Sequence, residues 1–239
     1  MKKNVIDINC DMGEGVGNDA LLMPYIHSCS IACGYHAGSD STMKETIALA
    51  KQMQVNIGAH PSFPDRASFG RTDMTLPYHE LVKIIVQQIR ILGSYCKEAK
   101  ARLVHVKPHG ALYNMAVYDE NVASAIVAAI RSYDASLTLF APSISLVSRL
   151  ARESNLPVVY EAFADRLYEE DLTLVSRQQK DAVLQDPEAV WAQVKDIVEK
   201  GSVRAASGKI VPIVAETVCI HGDNLKAVEI VRFLFNKMA

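Results

Sequence analysis

Short apolar runs alternate along the chain with longer segments in which apolar residues recur every three or four positions. The short runs are rich in β-branched residues, which favours strands, whereas the longer segments are typical of amphipathic helices. The predicted strands are residues 5–11, 28–34, 55–60, 103–109, 137–141, 158–163 and 218–221. The predicted helices are residues 42–54, 78–100, 120–132, 144–153, 187–199 and 224–237.

Repeated strand-then-helix units predict a mainly parallel sheet with helices outside it. Six or seven such units favour a closed or nearly closed α/β barrel of the (β/α) TIM-like type, and an open doubly wound sheet is the alternative. No repeat or linker divides the chain, so we expect residues 1–239 to form a single barrel domain. Residues 163–184 show no clear period and predict a long loop, helical in part, of the kind that often forms a lid.

Polar side chains share one face of several predicted strands. Because alternate residues of a strand point to the same side, the shared sets are Asp7, Asn9 and Asp11; Asn56 and His60; and His105, Lys107 and His109. The outer helices demand apolar partners, so these polar sets should face the barrel interior. Most of them fall near the C-terminal ends of strands, where such barrels place their active sites. We therefore predict that Asp11, His60, Lys107 and His109 line one cavity at that end.

Each of these residues also has a structural interpretation. Lys107 could serve only to neutralise Asp7 or Glu161. His105 lies one layer deeper than His109, which favours a hydrogen-bonded core histidine over a ligand. Several polar residues converging in one interior nevertheless need a reason, because buried charge is costly unless it is paired.

Composition and charge narrow the class of protein. Hydrophobic residues make up 49% of the 239 positions and charged residues 22%, which suits a packed globular core. A net charge of -2 argues against nucleic acid or an anionic membrane as the main partner. The first residues, MKKNVIDINCD, lack the apolar segment of a signal peptide, and no apolar run is long enough to span a membrane. We therefore expect a cytoplasmic protein.

Neither the cysteines nor a glycine-rich stretch predicts a further site. The cysteines are scattered and odd in number, which indicates reduced thiols: Cys10, Cys29, Cys33, Cys96 and Cys219. Cys29 and Cys33 fall on an apolar face, so packing is favoured over zinc binding. Gly13, Gly15 and Gly17 resemble a phosphate-binding loop only loosely, and no Walker A motif occurs.

Six sequence blocks resemble, in order, the signatures of the LamB/YcsF family. They are DINCDMGE (7–14), IACGYHAG (31–38), GAHPSFPD (58–65) with FGR (69–71), VKPHGALYN (106–114), EAFADR (161–166) and CIHGD (219–223). The resemblance implies a seven-stranded (β/α) barrel, similar to the glycoside hydrolase and deacetylase barrels. It also implies an enzyme that acts with two further subunits, B and C, to cleave 5-oxo-L-proline to L-glutamate. ATP, with Mg²⁺, would be the co-substrate, bound here or by a partner.

One segment departs from the family pattern. After Asp165 and Arg166 the family usually continues with Gly-Xaa-Leu-Val-Pro-Arg, whereas this chain reads EDLTLVSR over residues 170–177. Asp171 or its neighbour replaces the glycine, and Ser176 replaces the proline. The difference concerns the shape of the loop and leaves the predicted fold unchanged.

The resemblance and the strand-end positions together define a larger candidate site. The substrate-binding candidates are Asp7, Asn9, Glu14, His36, Arg71, Glu161, Asp165, Arg166, His221 and Asp223. Opening a lactam needs a base for water, a cation for the oxyanion and an acid for the leaving nitrogen. We assign the base to Asp11 or His60, the cation to Lys107, which should serve turnover and not folding, and the acid to His109. Alternatively, Asp11, His36, His60 and His109 hold a divalent metal; we favour the metal-free arrangement.

Two other classes of function stay open at this point. One is a metal-dependent deacetylase or amidohydrolase that acts alone on an N-acyl substrate. The other is a non-catalytic regulatory subunit that binds a small acid. Metal content and the activity of the isolated chain separate the first class from a 5-oxoprolinase subunit. Loss of the reaction on replacing site residues, with assembly intact, excludes the second.

Overall fold

The computed structural model describes residues 6–238. Seven parallel strands close a barrel in which each strand pairs with the next barrel strand along the chain and the last pairs with the first. The predicted barrel is therefore confirmed, and the open sheet is wrong. The barrel strands are β1 (Asp7–Met12), β2 (Ser28–Ala32), β3 (Asn56–His60), β4 (Leu103–Val106), β5 (Thr138–Ala141), β6 (Val158–Phe163) and β9 (Thr217–Ile220). Residues 1–5 lie outside the described residues. They include Val5, the start of the first predicted strand, and most of the N-terminal segment that was compared with a signal peptide.

Helices follow most of the strands and cover the outside of the barrel. They are α1 (Asp19–Leu22), α2 (Asp40–Gln52), α3 (Tyr78–Glu98), α4 (Gly110–Met115), α5 (Glu120–Asp134), α6 (Leu146–Glu153), α7 (Pro187–Lys200) and α8 (Ala227–Met238). Four begin at side chains that accept a first-turn N–H, as helix N-caps do: Ser39, Asp119, Ser145 and Asp186. Among residues 6–238, none of these helices combines the length and the apolar character that crossing a membrane requires.

The differences from the sequence-based elements concern short segments. The helices α1 and α4 and the antiparallel pair β7 (Ser202–Arg204) and β8 (Ile210–Pro212) were not predicted, because each is too short to show a period. The predicted loop after β6 contains no helix. Isolated antiparallel bridges, Arg166 to Val183 and Tyr168 to Leu174, tie it back on itself instead.

The two faces of the barrel strands differ in chemistry. Ile8, Cys10 and Met12 of β1 are fully buried in the apolar layer between strands and helices. The alternate residue Asn9 donates to Glu161 on β6 over 2.9 Å, although β1 pairs only with β2 and β9. A contact between strands that are not neighbours must cross the interior, so the polar face points inward as predicted.

The interior floor is a hydrogen-bonded polar layer. Asp7 accepts hydrogen bonds from Ser28, over 2.7 Å, and from Thr217. His105 lies beside Ser30, with its Nε2 3.2 Å from the hydroxyl, and stacks on Phe140 with ring centroids 4.1 Å apart. His105 is therefore a partnered core histidine, as its depth in the strand indicated.

Gly58 should resist replacement by alanine. A Cβ at this position would lie 2.0 Å from Nε2 of His105, whose buried ring is held between Ser30 and Phe140. We expect Gly58→Ala to lower the free energy of unfolding by about 1–3 kcal/mol, the usual cost of overpacking. Urea denaturation followed by circular dichroism measures it.

Gly93 in α3 supplies the matched control. A Cβ there would also meet an atom at 2.0 Å, but that atom is the terminal hydroxyl of the half-buried Tyr133, which can swing aside. Alanine also has the better helix propensity. Gly93→Ala should therefore be neutral or stabilising. If Gly58→Ala and Gly93→Ala lowered the free energy of unfolding equally, the His105 ring would not be rigidly held.

Candidate active site

A cavity of about 550 Å³ opens at the C-terminal end of the barrel, within the range of small-molecule sites. All four residues predicted to meet there line it: Asp11, His60, Lys107 and His109. Six of the substrate-binding candidates line it too: Glu14, Arg71, Glu161, Arg166, His221 and Asp223. The other four lie behind or below these residues: Asp7, Asn9, His36 and Asp165.

Lys107 sits at the base of the cavity in a buried ion cluster. Its ammonium lies 2.9 Å from both Asp11 and Glu161, 3.1 Å from Asn9 and 3.0 Å from the sulfur of Cys219. Burial alone would lower the pKa of Lys107, but Asp11 and the other neighbours raise it well above its ordinary value. Asp7, the other partner considered from sequence, is instead bonded to the floor hydroxyls.

Four acceptors crowd the Lys107 ammonium. It donates to Asn9 and Cys219 and is ion-paired with Asp11 and Glu161, so four acceptors compete for its three N–H groups. The carboxylate of Glu161 is equally occupied, because it also accepts from Asn9 and from the Tyr113 hydroxyl over 2.7 Å. These contacts favour Lys107 as the partner of the buried carboxylates, and its assignment as the oxyanion cation stays a prediction.

Three imidazoles and one carboxyl group form a second cluster at the cavity wall. Oε1 of Glu14 lies 3.3 Å from Nε2 of His36, 3.8 Å from Nε2 of His60 and 3.4 Å from Nδ1 of His109. His36 and His109 stack with centroids 3.8 Å apart, and His60 meets His109 edge to face. Gly70 permits this packing, since a Cβ there would lie 2.9 Å from both His36 and His109.

Burial sets the protonation of this second cluster. It lowers the pKa of His36 to about 3 and that of His109 to about 4, and it lowers the pKa of His60 well below its ordinary value. Burial, reinforced by the charge of Asp11, raises the pKa of Glu14 to about 7. The three imidazoles are therefore neutral near pH 7 and present lone pairs.

An Asp–His pair lies at the end of β9. Nδ1 of His221 is 2.9 Å from the buried carboxylate of Asp165, which also accepts from Asn224 over 3.0 Å. The His221 ring stacks on Phe163 with centroids 5.2 Å apart, so its orientation is held from two sides. A carboxylate that fixes the tautomer of an imidazole lining a cavity is a common acid–base arrangement.

Two arginines meet one carboxylate at the cavity mouth. Oδ2 of Asp223 accepts from Arg71 over 2.6 Å and from Arg177 over 2.9 Å. One carboxylate neutralises only one guanidinium, so this group carries an excess positive charge beside the cavity. The charge suits an anionic substrate group such as a carboxylate or a phosphate.

The loop after β6 forms part of the cavity wall. The buried Arg166 donates to the carbonyls of Val175 and Ala182 and holds the two sides of the loop together. Leu172 has a φ of 65°, the left-handed region that favours glycine. Leu172, the neighbour of Asp171, therefore occupies the position at which the family pattern has its glycine.

Among the cavity residues that contact Glu161 or Asp223, Tyr113 and Arg177 were not singled out from the sequence as site candidates. Tyr113 lies in the short helix α4, and Arg177 lies within the unperiodic loop of residues 163–184. Neither shows a strand alternation that predicts its direction. The only sequence signal for Tyr113 was its place in the block VKPHGALYN (106–114), and that for Arg177 was its place at the end of the segment EDLTLVSR (170–177).

Comparisons with known proteins agree closely over nearly the whole chain. The model of the LamB/YcsF family matches residues 6–239. The A subunit of a 5-oxoprolinase from Bacillus cereus (strain Q1) is 42% identical over 236 residues, which cover 96% of this chain and 93% of the relative. A protein of the same name from Methylococcus capsulatus is 42% identical over 239 residues, covering 98% and 92%.

Solved structures give the same picture. A lactam utilization protein from Thermus thermophilus is 35% identical and superposes with a TM-score of 0.89, over 97% of this chain and 96% of that one. A putative cellobiose-phosphate cleavage protein from Enterococcus faecalis V583 is only 13% identical, with a TM-score of 0.53 over 97% and 94%. The second similarity concerns the fold alone.

Proposed function

Since the chain belongs to the LamB/YcsF family, we propose that it is the subunit of a 5-oxoprolinase that holds 5-oxo-L-proline while its ring amide is hydrolysed to L-glutamate. The observation that carries the proposal is the identity of about two fifths to relatives named as the A subunit of 5-oxoprolinase, over nearly their full length. The cavity supports the proposal, because it combines the arginines Arg71 and Arg177, which can bind an anion, with the oriented imidazole of His221.

The cleavage is coupled to ATP and to two partner subunits, B and C, in this proposal. The γ-phosphoryl group of ATP is transferred to the lactam oxygen, water adds to the carbonyl carbon, and the C–N bond breaks as the nitrogen accepts a proton. ADP leaves in the first step, and the acyl phosphate that C–N cleavage produces is hydrolysed by a second water to the side-chain carboxylate of glutamate and phosphate. We assign the ATP and Mg²⁺ site to the partners, because the sequence contains no Walker A motif.

His221 is the residue we assign to proton transfer. Its Nδ1 faces Asp165, so Nε2 is left to take a proton from the attacking water and to return one to the leaving nitrogen. His109, to which the sequence assigned this role, has both ring nitrogens within 2.9 Å of other groups, Phe69 and His60. Lys107 becomes a positioning residue that holds Asp11 and Glu161.

Arg71 and Arg177 hold the carboxylate of 5-oxoproline in this proposal. We expect Arg177→Met, measured as glutamate formation by the complete assembly, to raise KM about 10- to 100-fold with little change in kcat. Losing a charged hydrogen bond typically costs about 1.5–3 kcal/mol, which corresponds to that range. The binding would be weakened equally in ground and transition states, which is why KM should carry the effect.

Arg204 on β7 provides the control, because its guanidinium is exposed and donates to Gly208 away from the cavity. Arg204→Met should leave both constants unchanged. An unaltered KM in the Arg177 variant would show that the substrate carboxylate lies elsewhere. Absence of glutamate formation by the wild-type assembly would reject the proposed function itself.

A further inference from the structure

The histidine cluster at the cavity wall has no role in the proton transfer or the anion binding proposed above. Glu14, His36, His60 and His109 each offer one ligand atom, and these atoms all lie within 4.8 Å of one another. Glu14, His60 and His109 line the cavity, whereas His36 lies behind them and is almost fully buried. A cluster of this composition, open on one side, has the donor set of a metal site.

Hydrogen bonds to main-chain carbonyls define the tautomers of two of these histidines. Nδ1 of His60 lies 2.7 Å from the carbonyl oxygen of Lys107, and Nε2 of His109 lies 2.8 Å from that of Phe69. A carbonyl oxygen can only accept, so both of these nitrogens carry the hydrogen. The other nitrogens, Nε2 of His60 and Nδ1 of His109, therefore bear lone pairs in the neutral rings.

These two lone-pair nitrogens face each other at 2.9 Å. Two acceptors at that distance repel unless a cation lies between or beside them. Glu14 adds a carboxylate oxygen 3.4 Å from one nitrogen and 3.8 Å from the other. Donor atoms bound to one tetrahedral ion at about 2.0–2.1 Å lie roughly 3.3 Å apart, a value that the three distances bracket.

The remaining histidine holds the carboxylate and does not complete the donor set. The His36 ring is parallel to the His109 ring, with an interplanar angle of 4°, so the in-plane lone pairs of the two rings cannot converge on one ion. Nε2 of His36 lies 3.3 Å from Glu14 and can donate to it. An outer hydrogen bond of this kind orients a ligating group.

We propose that Glu14, His60 and His109 form a binding site for one divalent transition-metal ion such as Zn²⁺, with His36 orienting Glu14 and the open position facing the cavity. Two imidazoles and one carboxylate are a known donor set for catalytic zinc, with the hydrogens of both rings bound to outer acceptors. An ion there would supply a Lewis acid beside the substrate cavity. The proposal differs from the metal-free arrangement that the sequence favoured.

The ligand set also differs from the one considered from the sequence. Asp11 was a candidate ligand, but its carboxylate is paired with Lys107 over 2.9 Å and does not belong to the histidine cluster, whose ligand atoms all lie within 4.8 Å of one another. Glu14, which follows the end of β1, takes its place. His36 moves from ligand to outer partner.

The test uses Zn²⁺ itself and needs no enzyme activity. The purified chain is stripped with a chelator, dialysed and titrated with Zn²⁺ by calorimetry, with metal content measured by mass spectrometry and Co²⁺ absorption reporting the geometry. We expect one equivalent bound by the wild type. Glu14→Gln and His109→Gln should weaken binding by more than the 10- to 100-fold that outer partners typically contribute.

A second group of potential ligands provides a matched control. Asp11, Cys219 and His221 also place ligand atoms within 4.8 Å of one another. His221→Gln should therefore keep full Zn²⁺ affinity, and loss of binding in that variant would move the metal to the other group and overturn the proposal. Circular dichroism of each variant separates a lost ligand from a lost fold.

A shared proton is the rival occupant of the site. Were a proton to join His60 and His109, the stripped wild type would bind no more Zn²⁺ than the Glu14 and His109 variants, and nitrogen NMR would show one protonated imidazole pair. That result would overturn the metal site. Binding of one equivalent of Zn²⁺ by the wild type, together with a tetrahedral Co²⁺ spectrum, would establish the metal site if both signals are lost in the Glu14 and His109 variants.

Discussion

Replacing Lys107 by methionine should lower the free energy of unfolding by about 3–5 kcal/mol, the usual cost of removing one partner of a buried ion pair. The ammonium lies between two carboxylates, those of Asp11 and Glu161, at 2.9 Å from each. Methionine preserves most of the volume but leaves two buried negative charges facing each other. Chemical denaturation followed by circular dichroism measures the loss.

Two companion variants test the cause of that loss. Lys226→Met removes an exposed lysine paired with Glu229, and should cost no more than about 1 kcal/mol. Adding Glu161→Gln to Lys107→Met removes one of the uncompensated charges and should restore part of the stability. A Lys107 variant as stable as the wild type would contradict the ion cluster and would return Lys107 to a purely catalytic role.

Replacing His221 by glutamine should reduce kcat of the complete assembly roughly 100- to 10,000-fold, the range typical of a lost acid–base group. The imidazole lines the cavity and is oriented by Asp165 and by the Phe163 ring. Glutamine can keep one hydrogen bond to Asp165 but cannot exchange a proton. Glutamate formation measured against time gives kcat, and stability should stay within about 1 kcal/mol of the wild type.

The control for this prediction is His79→Gln, on the exposed side of α3. It should leave kcat unchanged. Asp165→Asn supplies a second comparison, because it keeps the shape of the pair but removes the charge that fixes the His221 tautomer. A His221 variant with near wild-type kcat would exclude the histidine from proton transfer, whatever the fate of Asp165.

The alternation of side chains along strands carried most of what the sequence predicted correctly. Side chains of a strand alternate between its two faces, so once one residue is placed on the inner face, the residues two positions away are expected to point inward as well. This reasoning placed Asp11, Lys107 and His109 in one interior, and the cavity contains them all, although β4 ends at Val106 and not at His109 as predicted. It also distinguished the partnered His105 from His109 by depth alone.

The same alternation says nothing about partners on distant strands. The ion pairs and the thiol contact of Lys107 depend on Asp11, Glu161 and Cys219, which come from three other strands. A local pattern cannot show whether an ammonium is free or bound. The role expected for Lys107 therefore changes once the barrel brings these groups together.

Loop residues were the least predictable part of the site. Glu14 follows β1, and Arg177 lies in the long loop after β6, where no period indicates a direction. Their positions depend on tertiary contacts, such as the Asp223 carboxylate that holds Arg177. Leu172 illustrates the same limit, since only the backbone reveals that it occupies the left-handed position.

Glutamate formation from 5-oxoproline, measured for the chain alone and for the chain assembled with subunits B and C, tests the proposed function most directly. With ATP and Mg²⁺, we expect glutamate and phosphate in equal amounts from the assembly, only traces from the chain alone, and loss of both when the chain carries His221→Gln. Full ATP-coupled conversion by the chain alone, or undiminished conversion by the assembly with the His221 variant, would contradict it.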